Sequence, residues 1–345
     1  MMAVRVHFKE QAAACRRLGS PFTGRLLELL AERLDDRSAI GGTVLGWSGD
    51  PRADALALRL AGGLHALVLA GAAPSLAAVY PSGTGQGDVE RLWTPLVDAL
   101  EHHAEALRAF LEHPPQTNEV ARAGVLAGGF MTVAAETGRP LTLLEIGASA
   151  GLNLHWDGYA YELGGASWGG PAAPVRLAPA WQGGRPPLGP VSVVGRAGCD
   201  RRPIDPADPG ARLRLRAYVW ADQAERLARL EAALDHAARG PLRVEQADAA
   251  DWVERRLAAP HSCAARVIFH SIVWQYLEAP TRMRVTRALT RAGGAATADA
   301  PLAWLRMEPA PGEDCAELRL TMWPGGQERR LARADYHGRW VAWEV

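Results

Sequence analysis

Lysine is almost absent from this chain of 345 residues: Lys9 is the single one, which excludes any other lysine as a Schiff base. With Ala and Arg abundant, the shortage reads as GC-rich codon usage rather than chemistry. Cysteine is scarce too. Cys15, Cys199, Cys263 and Cys315 form no C-x-x-C pair and no regular spacing, which argues against a zinc knuckle or a disulfide framework and leaves no metal site indicated. Neither sign of charge is in surplus, since 38 Lys and Arg balance 38 Asp and Glu. Arg pairs such as Arg201–Arg202 and Arg329–Arg330 are scattered, without the dense basic face that a phosphate backbone needs, so nucleic acid is not an expected partner. The first ten residues lack the apolar core of a secretory signal, which together with the cysteine usage gives a cytoplasmic expectation. Long hydrophobic runs are missing as well. Leu60 to Tyr80 carries no Asp, Glu, Lys or Arg, but Gly62, Gly63, His65, Gly71 and Pro74 dilute it, and two buried helices are expected there rather than a membrane span.

What is present is enough apolar material to fold: 48% hydrophobic against 22% charged residues matches ordinary globular proteins. From Phe8 to Thr137 apolar residues recur at helical spacing, as in Leu26, Leu27, Leu29, Leu30 and Leu34. Thr117 or Asn118 is a candidate cap for a helix over about Glu119–Glu136. At Gly138-Arg139-Pro140 the character changes, because Leu141–Ile146 is a short apolar run bounded by turn residues, the mark of a buried parallel strand. The division expected is a helical domain over 1–138 and an α/β domain over 139–345. Beyond a Gly-, Pro- and Trp-rich stretch from His155 to Pro190, read as a short β excursion or a lid, strands at Val191–Val194, Arg243–Gln246 and Val267–Val273 alternate with helices near Asp222–His236, Ala249–Leu257 and Thr281–Ala292. Alternation of this kind implies a parallel sheet. Leu302–Met307, Glu317–Trp323 and Trp340–Val345 then read as an antiparallel closing edge.

Glu145-Ile146-Gly147-Ala148-Ser149-Ala150-Gly151-Leu152 joins the buried strand to the expected start of a helix, the place where α/β sheets bind nucleotides. Gly147 permits a tight turn, Ser149 and Gly151 let backbone approach a ligand, and a following helix would offer N–H groups to an anion. A tight βα turn with no ligand is the plain alternative. Two acids later in the chain suit the same site: Asp200 is placed to accept from a ribose diol and Asp248 from an adenine amine, though either also suits a helix cap. His270 is a candidate base, and Trp274 or Tyr276 a stacking surface for a flat substrate or a cation. The same alternation of side chains from Phe269 to Trp274 equally fits a packed core. Gln116-Thr117-Asn118-Glu119 is a polar run suited to folding over a cofactor mouth, or to an ordinary N-cap.

Here the chain resembles class I S-adenosylmethionine-dependent methyltransferases, whose first motif is an acid closing strand one followed by G-x-G-x-G; Ser149 stands at the central glycine. The resemblance implies a Rossmann-like α/β fold, a mainly parallel sheet with antiparallel closing strands preceded by an α-helical N-terminal domain. It also implies that Glu145 and Gly147–Gly151, with Ala148 and Ser149 between, hold the methionine end of S-adenosylmethionine, Asp200 the ribose and Asp248 the adenine. In that family the end of the fourth strand, here His270–Tyr276, handles the methyl acceptor. Nearly the whole chain is also similar to the uncharacterised bacterial family DUF2332, through Leu18-Gly19-Ser20-Pro21, Gln116–Glu119, Glu145–Leu154, Gly198-Cys199-Asp200 with Pro203-Ile204-Asp205, Val219-Trp220 and His270–Tyr276. That family implies no activity.

Two other functional classes stay open. Gly147–Gly151 is also G-x-S-x-G, the nucleophile elbow of α/β-hydrolases, with Asp248 or Asp299 and then His337 completing a Ser, Asp, His order. Against it stand the helical first 140 residues and the lack of an HGGG-like segment. A non-catalytic nucleotide-binding regulator is the third class, since fold does not dictate chemistry.

Overall fold

The computed structural model describes residues 1–85, 87–259 and 263–345. The chain opens with seven helices, α1 (Met2–Arg17), α2 (Pro21–Arg33), α3 (Ala39–Leu45), α4 (Leu56–Leu69), α5 (Pro74–Ala77), α6 (Trp93–His102) and α7 (Ala104–Leu111). Then come α8 (Ala123–Thr137), β1 (Leu141–Ile146), β2 (Ala160–Leu163), β3 (Ala166–Trp168), β4 (Arg176–Leu177), β5 (Ala180–Gly183) and β6 (Val193–Asp200). The remainder is α9 (Pro209–Ala217), α10 (Ala224–Ala238), β7 (Glu245–Gln246), α11 (Ala249–Ala258), β8 (Ala265–Ser271), α12 (Ala279–Gly294), β9 (Leu302–Pro309), β10 (Ala316–Trp323), β11 (Gln327–Ala334) and β12 (Trp340–Trp343).

These elements form two compact units, Met1–Thr117 with Asp208–Glu231, and Asn118–Ala207 with Ala232–Val345. In the first, local signals match the helices they start: Pro21 occupies the first turn of α2, where a missing N–H is harmless, and Ser38 Oγ accepts the Gly41 N–H at 3.0 Å to cap α3. The core gathers Phe8, Leu27, Leu30, Ile40 and Leu64, each buried side chain contributing about 1.5–3 kcal/mol. The stretch Leu60–Tyr80 divides between α4 and α5, and among the described residues no helix is long and apolar enough to cross a membrane. Residues 208–231 belong here because His65 Nδ1 lies 3.1 Å from the Ala217 carbonyl and Tyr218 packs on Gly62.

The second unit is α/β with a large, mostly parallel sheet of nine strands in the order β5-β12-β11-β10-β9-β8-β1-β6-β7. Strands β7, β6, β1, β8 and β9 run parallel, whereas β10 to β12 continue from β9 as an antiparallel meander. Strand β1 lies between β6 and β8 and is almost wholly buried, which is why its sequence is a continuous apolar run. Leu144, Ile146 and Ile268 meet Trp252 and Val253 of α11 and Val285 and Leu289 of α12. Because α8 packs against β8, β9 and β10, it groups with the sheet, so the compact unit begins at Asn118 and not at the change of sequence character after 138. The stretch 155–190 holds β2, β3 and β4 as a separate three-stranded sheet, with Trp156 stacked between Phe130 and Trp168 at 4.9 and 5.2 Å.

Candidate functional site

The site is built at the carboxyl ends of β1, β6, β8 and β9. Past β1, Gly147 takes φ +68°, and a Cβ there would lie 2.5 Å from Val273 Cγ2, so only glycine fits against the loop after β8. Ser149 follows at φ +53° and Gly151 at φ +73°. The helix expected next is a seven-residue 3-10 helix, Leu152–Gly158, and the N–H groups expected to await an anion are already accepted within the protein. Ala148 N–H donates to the Cys199 carbonyl (3.0 Å), Ser149 N–H to Asp200 Oδ2 (2.9 Å) and Gly151 N–H to the Ala148 carbonyl (2.7 Å). Asn118 Oδ1 takes two more, from Ala150 (3.2 Å) and Leu152 (3.1 Å).

Asn118 therefore braces the loop rather than capping a helix. Its neighbour Glu119 does the capping, accepting the Ala121 N–H at 3.1 Å ahead of the 3-10 turn Val120–Arg122 that precedes α8. Gln116 belongs to the other compact unit. Asp200, the last residue of β6, accepts the Ser149 N–H through one oxygen and the Arg202 N–H through the other (2.8 Å). Burial holds its carboxyl above the ordinary range while those two N–H groups pull it down. Asp248 caps α11, its Oδ1 accepting the N–H groups of Ala250 (2.9 Å) and Asp251 (3.4 Å).

Glu145 is the anomaly. The side chain is 2% exposed and its Oε2 has no hydrogen-bond partner. Burial, reinforced by Asp200, raises its carboxyl well above the ordinary value, with Arg122 and Asn153 acting the other way. Ser149 Oγ and Asn153 Oδ1 are likewise buried without partners.

At the end of β8 most polar groups are instead matched, although Glu308 Oε2 is buried without a partner. Ile272 holds φ +53°, rare for a β-branched residue, and donates its N–H to the Met307 carbonyl at 2.8 Å. His270 is fully buried and stacked on Trp274 with ring centroids 5.1 Å apart. Its Nε2 accepts the Trp304 indole N–H at 3.2 Å, which places the proton on Nδ1, 2.6 Å from Glu308 Oε1. That same oxygen accepts the N–H groups of Val273 (3.0 Å) and Trp274 (3.2 Å). Both ring nitrogens of His270 are thus engaged within the protein. Tyr276, 74% exposed on the 3-10 turn Trp274–Tyr276, stands in solvent.

Glu308 and Arg122 carry no motif that would single them out, and Asn153 lies within the Glu145–Leu154 phrase without being singled out in it. Arg122 donates to the carbonyls of Tyr336 (3.0 Å) and Ser271 (3.1 Å). A cavity of about 360 Å³ lies elsewhere in this unit, lined by Thr137, Pro301, Met322, Trp323 and Arg329 among others, and none of the site residues borders it.

A family model described as an uncharacterized protein conserved in bacteria (DUF2332) matches residues 5–343. The chain belongs to the DUF2332 family. No curated protein matches it, and no solved structure does. In this DUF2332 chain the phrases Glu145–Leu154, Gly198-Cys199-Asp200 and His270–Tyr276 fall at the ends of β1, β6 and β8, three adjacent strands.

Proposed function

We propose that this chain binds S-adenosylmethionine at the carboxyl ends of β1 and β8 and transfers its methyl group to a small or planar acceptor. The observation that carries the reading is strand order. Numbered among themselves, the parallel strands β7-β6-β1-β8-β9 run 3-2-1-4-5, the order of a Rossmann-like sheet, which binds ligands where the direction of winding reverses. Here the reversal lies between β1 and β8, where Gly147 meets Val273. Helices α11 and α12 cover the parallel half, as class I methyltransferase-like folds require, although β10 to β12 continue as a simple meander.

The residues present suit such a ligand. Glu145 and Ser149 have unpartnered oxygens beside the loop, and Asp200, whose carboxylate has acceptor capacity beyond its two N–H contacts, stands at the next strand end for a ribose. Bound S-adenosylmethionine supplies an activated methyl group. The chain's own contribution is placement: methyl transfer needs in-line alignment of the acceptor, and the His270–Glu308 pair fixes Val273 and Trp274 where an acceptor would lie. The half-buried Trp274 offers an aromatic face. Titration calorimetry with S-adenosylmethionine and S-adenosylhomocysteine tests the reading. Micromolar binding is expected, lost in Gly151→Asp with helix content intact because the new carboxylate opposes the ligand's own; equal binding by that variant removes the premise.

One observation favours a hydrolase. Ser149 holds a positive φ, as the serine of a strained nucleophile elbow does. Its hydroxyl, however, meets no base, Asp248 caps α11 and Asp299 pairs with Arg139. An ester assay of Ser149→Ala decides: turnover by the parent chain that vanishes in the variant would favour that reading.

A further inference from the structure

On α4, where Leu60, Leu64, Leu67 and Val68 are buried, His65 is only 3% exposed, yet each of its ring nitrogens has a partner in the same compact unit. Nδ1 lies 3.1 Å from the Ala217 carbonyl, which can only accept, so the ring proton is on Nδ1. Nε2 is left with its lone pair and accepts the Ser82 Oγ–H at 2.8 Å. A serine hydroxyl on a neutral imidazole whose other nitrogen is oriented by a third group is the arrangement of an activated nucleophile. The fold around it holds each part in place. A Cβ at Gly62 would lie 2.5 Å from Tyr218 Cε1, so only glycine admits the ring whose neighbour Ala217 meets His65, and Tyr80 stacks on the imidazole with centroids 6.1 Å apart. Past Ser82 the chain turns back on α5: Thr84 and Gly85 donate their N–H groups to the Ala77 carbonyl at 3.0 and 3.2 Å, and a Cβ on Gly83 would lie 2.3 Å from that oxygen. Ser82 itself is partly exposed, which sets its hydroxyl between a buried base and solvent.

We infer that Ser82 and His65 are a nucleophile and its general base acting on carboxylic esters, a second reactive site in the helical unit that does not rest on the cofactor reading. Ser82 Oγ bonds to the ester carbonyl carbon as its proton passes to His65 Nε2; the imidazolium then gives that proton to the departing alcohol oxygen as the C–O bond to it breaks. Water repeats the sequence on the acyl-serine, releasing the acid and restoring both side chains. Burial pulls His65 down to about 4 against the Ala217 and Val219 backbone and Asp222, with Arg216 assisting the fall, so the imidazole is neutral and ready to accept at physiological pH. A base this weak suits the electrophilic carbonyl of an ester better than that of an amide.

The test treats the full chain with a fluorophosphonate, which is selective for activated serines, and with p-nitrophenyl acetate, and maps the modified peptide by mass spectrometry. The adduct is expected on Ser82, absent in Ser82→Ala and formed about a hundredfold more slowly or worse in His65→Gln, the usual worth of a general base. A structural tie would make the same two contacts and leave the serine inert. Labelling of the parent chain should persist in acid buffer down to about pH 5 and fall below that, as a base near 4 requires. An adduct on Ser149 and not on Ser82, or none on the folded chain, overturns the inference. So does a rate that climbs about tenfold per pH unit through neutrality, because that marks attack driven by hydroxide and not by His65. Should His65→Gln fail to fold, the mapped adduct and pH profile of the parent chain, with Ser82→Ala as control, decide instead. Titration of Ser82→Ala with S-adenosylmethionine reads the cofactor proposal separately, so either can fail alone.

Discussion

The ends of β1 and β8 are neighbours in one sheet, and each leaves one carboxylate oxygen buried without a partner, but only the β8 end ties its side chains into a hydrogen-bonded chain. At β8, His270, Glu308 and Trp304 form a chain of hydrogen bonds that also secures the backbone of Val273 and Trp274. At β1, Glu145 sits equally deep with an oxygen that nothing satisfies. A hydrogen-bonded network rigidifies, whereas a buried acceptor outside any network costs stability. The contrast teaches that the β8 end is a braced frame and that the β1 end is braced less.

The largest effect should come from breaking the frame. His270→Ala leaves Glu308 and Trp304 without their shared partner and opens a cavity at a fully buried position. The orphaned buried groups and the cavity together cost about 3–5 kcal/mol, so a urea titration should show a large part of the stability gone. A loss under about 1 kcal/mol would mean that the network is not structural. Next is Gly147→Ala, where the wrong φ and the contact with Val273 Cγ2 act together; a cost of about 2–3 kcal/mol is expected, since strained backbone and overpacking both destabilise. The two loops would separate, and a denaturant midpoint equal to that of the parent would show that their contact carries no energy. Smaller again, Asn118→Ala removes the acceptor of the Ala150 and Leu152 N–H groups. About 1–3 kcal/mol is expected, and hydrogen exchange at those two amides should become fast; unchanged protection would mean that Asn118 does not brace the loop.

Much of the frame can be read in the sequence and little of its wiring. Leu141–Ile146 reads as a buried strand because both faces are covered, and α11 and α12 show their amphipathic period. Strand β11 escapes notice because Glu328, Arg329, Arg330 and Arg333 put charges along it, each held by a partner such as Arg306, Glu136 or Glu344. Helix α9 hides for a related reason, its Arg214 and Arg216 diluting the apolar stripe. In the site itself, the glycine loop and Asp200 are visible as local patterns. Asn118 reaches a loop about thirty residues away, and Glu308 gathers donors from a different strand end; contacts of that span exist only after folding. The free N–H groups expected of the loop fail for the same reason, since their acceptors come from Asn118 and from β6.

The finest test of the contrast is the pH dependence of Glu145→Gln. The folded carboxyl binds its proton more tightly than the ordinary value of 4.5. Above that value the unfolded chain has lost the proton while the folded chain keeps it, so Glu145 lowers stability as pH rises, until the folded carboxyl itself ionises. Glutamine keeps the shape and cannot ionise. The variant should match the parent under acid conditions and exceed it by about 1 kcal/mol or more toward pH of about 8, since a tenfold difference in proton affinity between the folded and unfolded chain is worth about 1.4 kcal/mol. Urea titrations of both chains across that range check the sign. A difference that stays flat would mean that Glu145 is ionised and partnered after all, which would make the β1 end a second braced network and erase the distinction from β8.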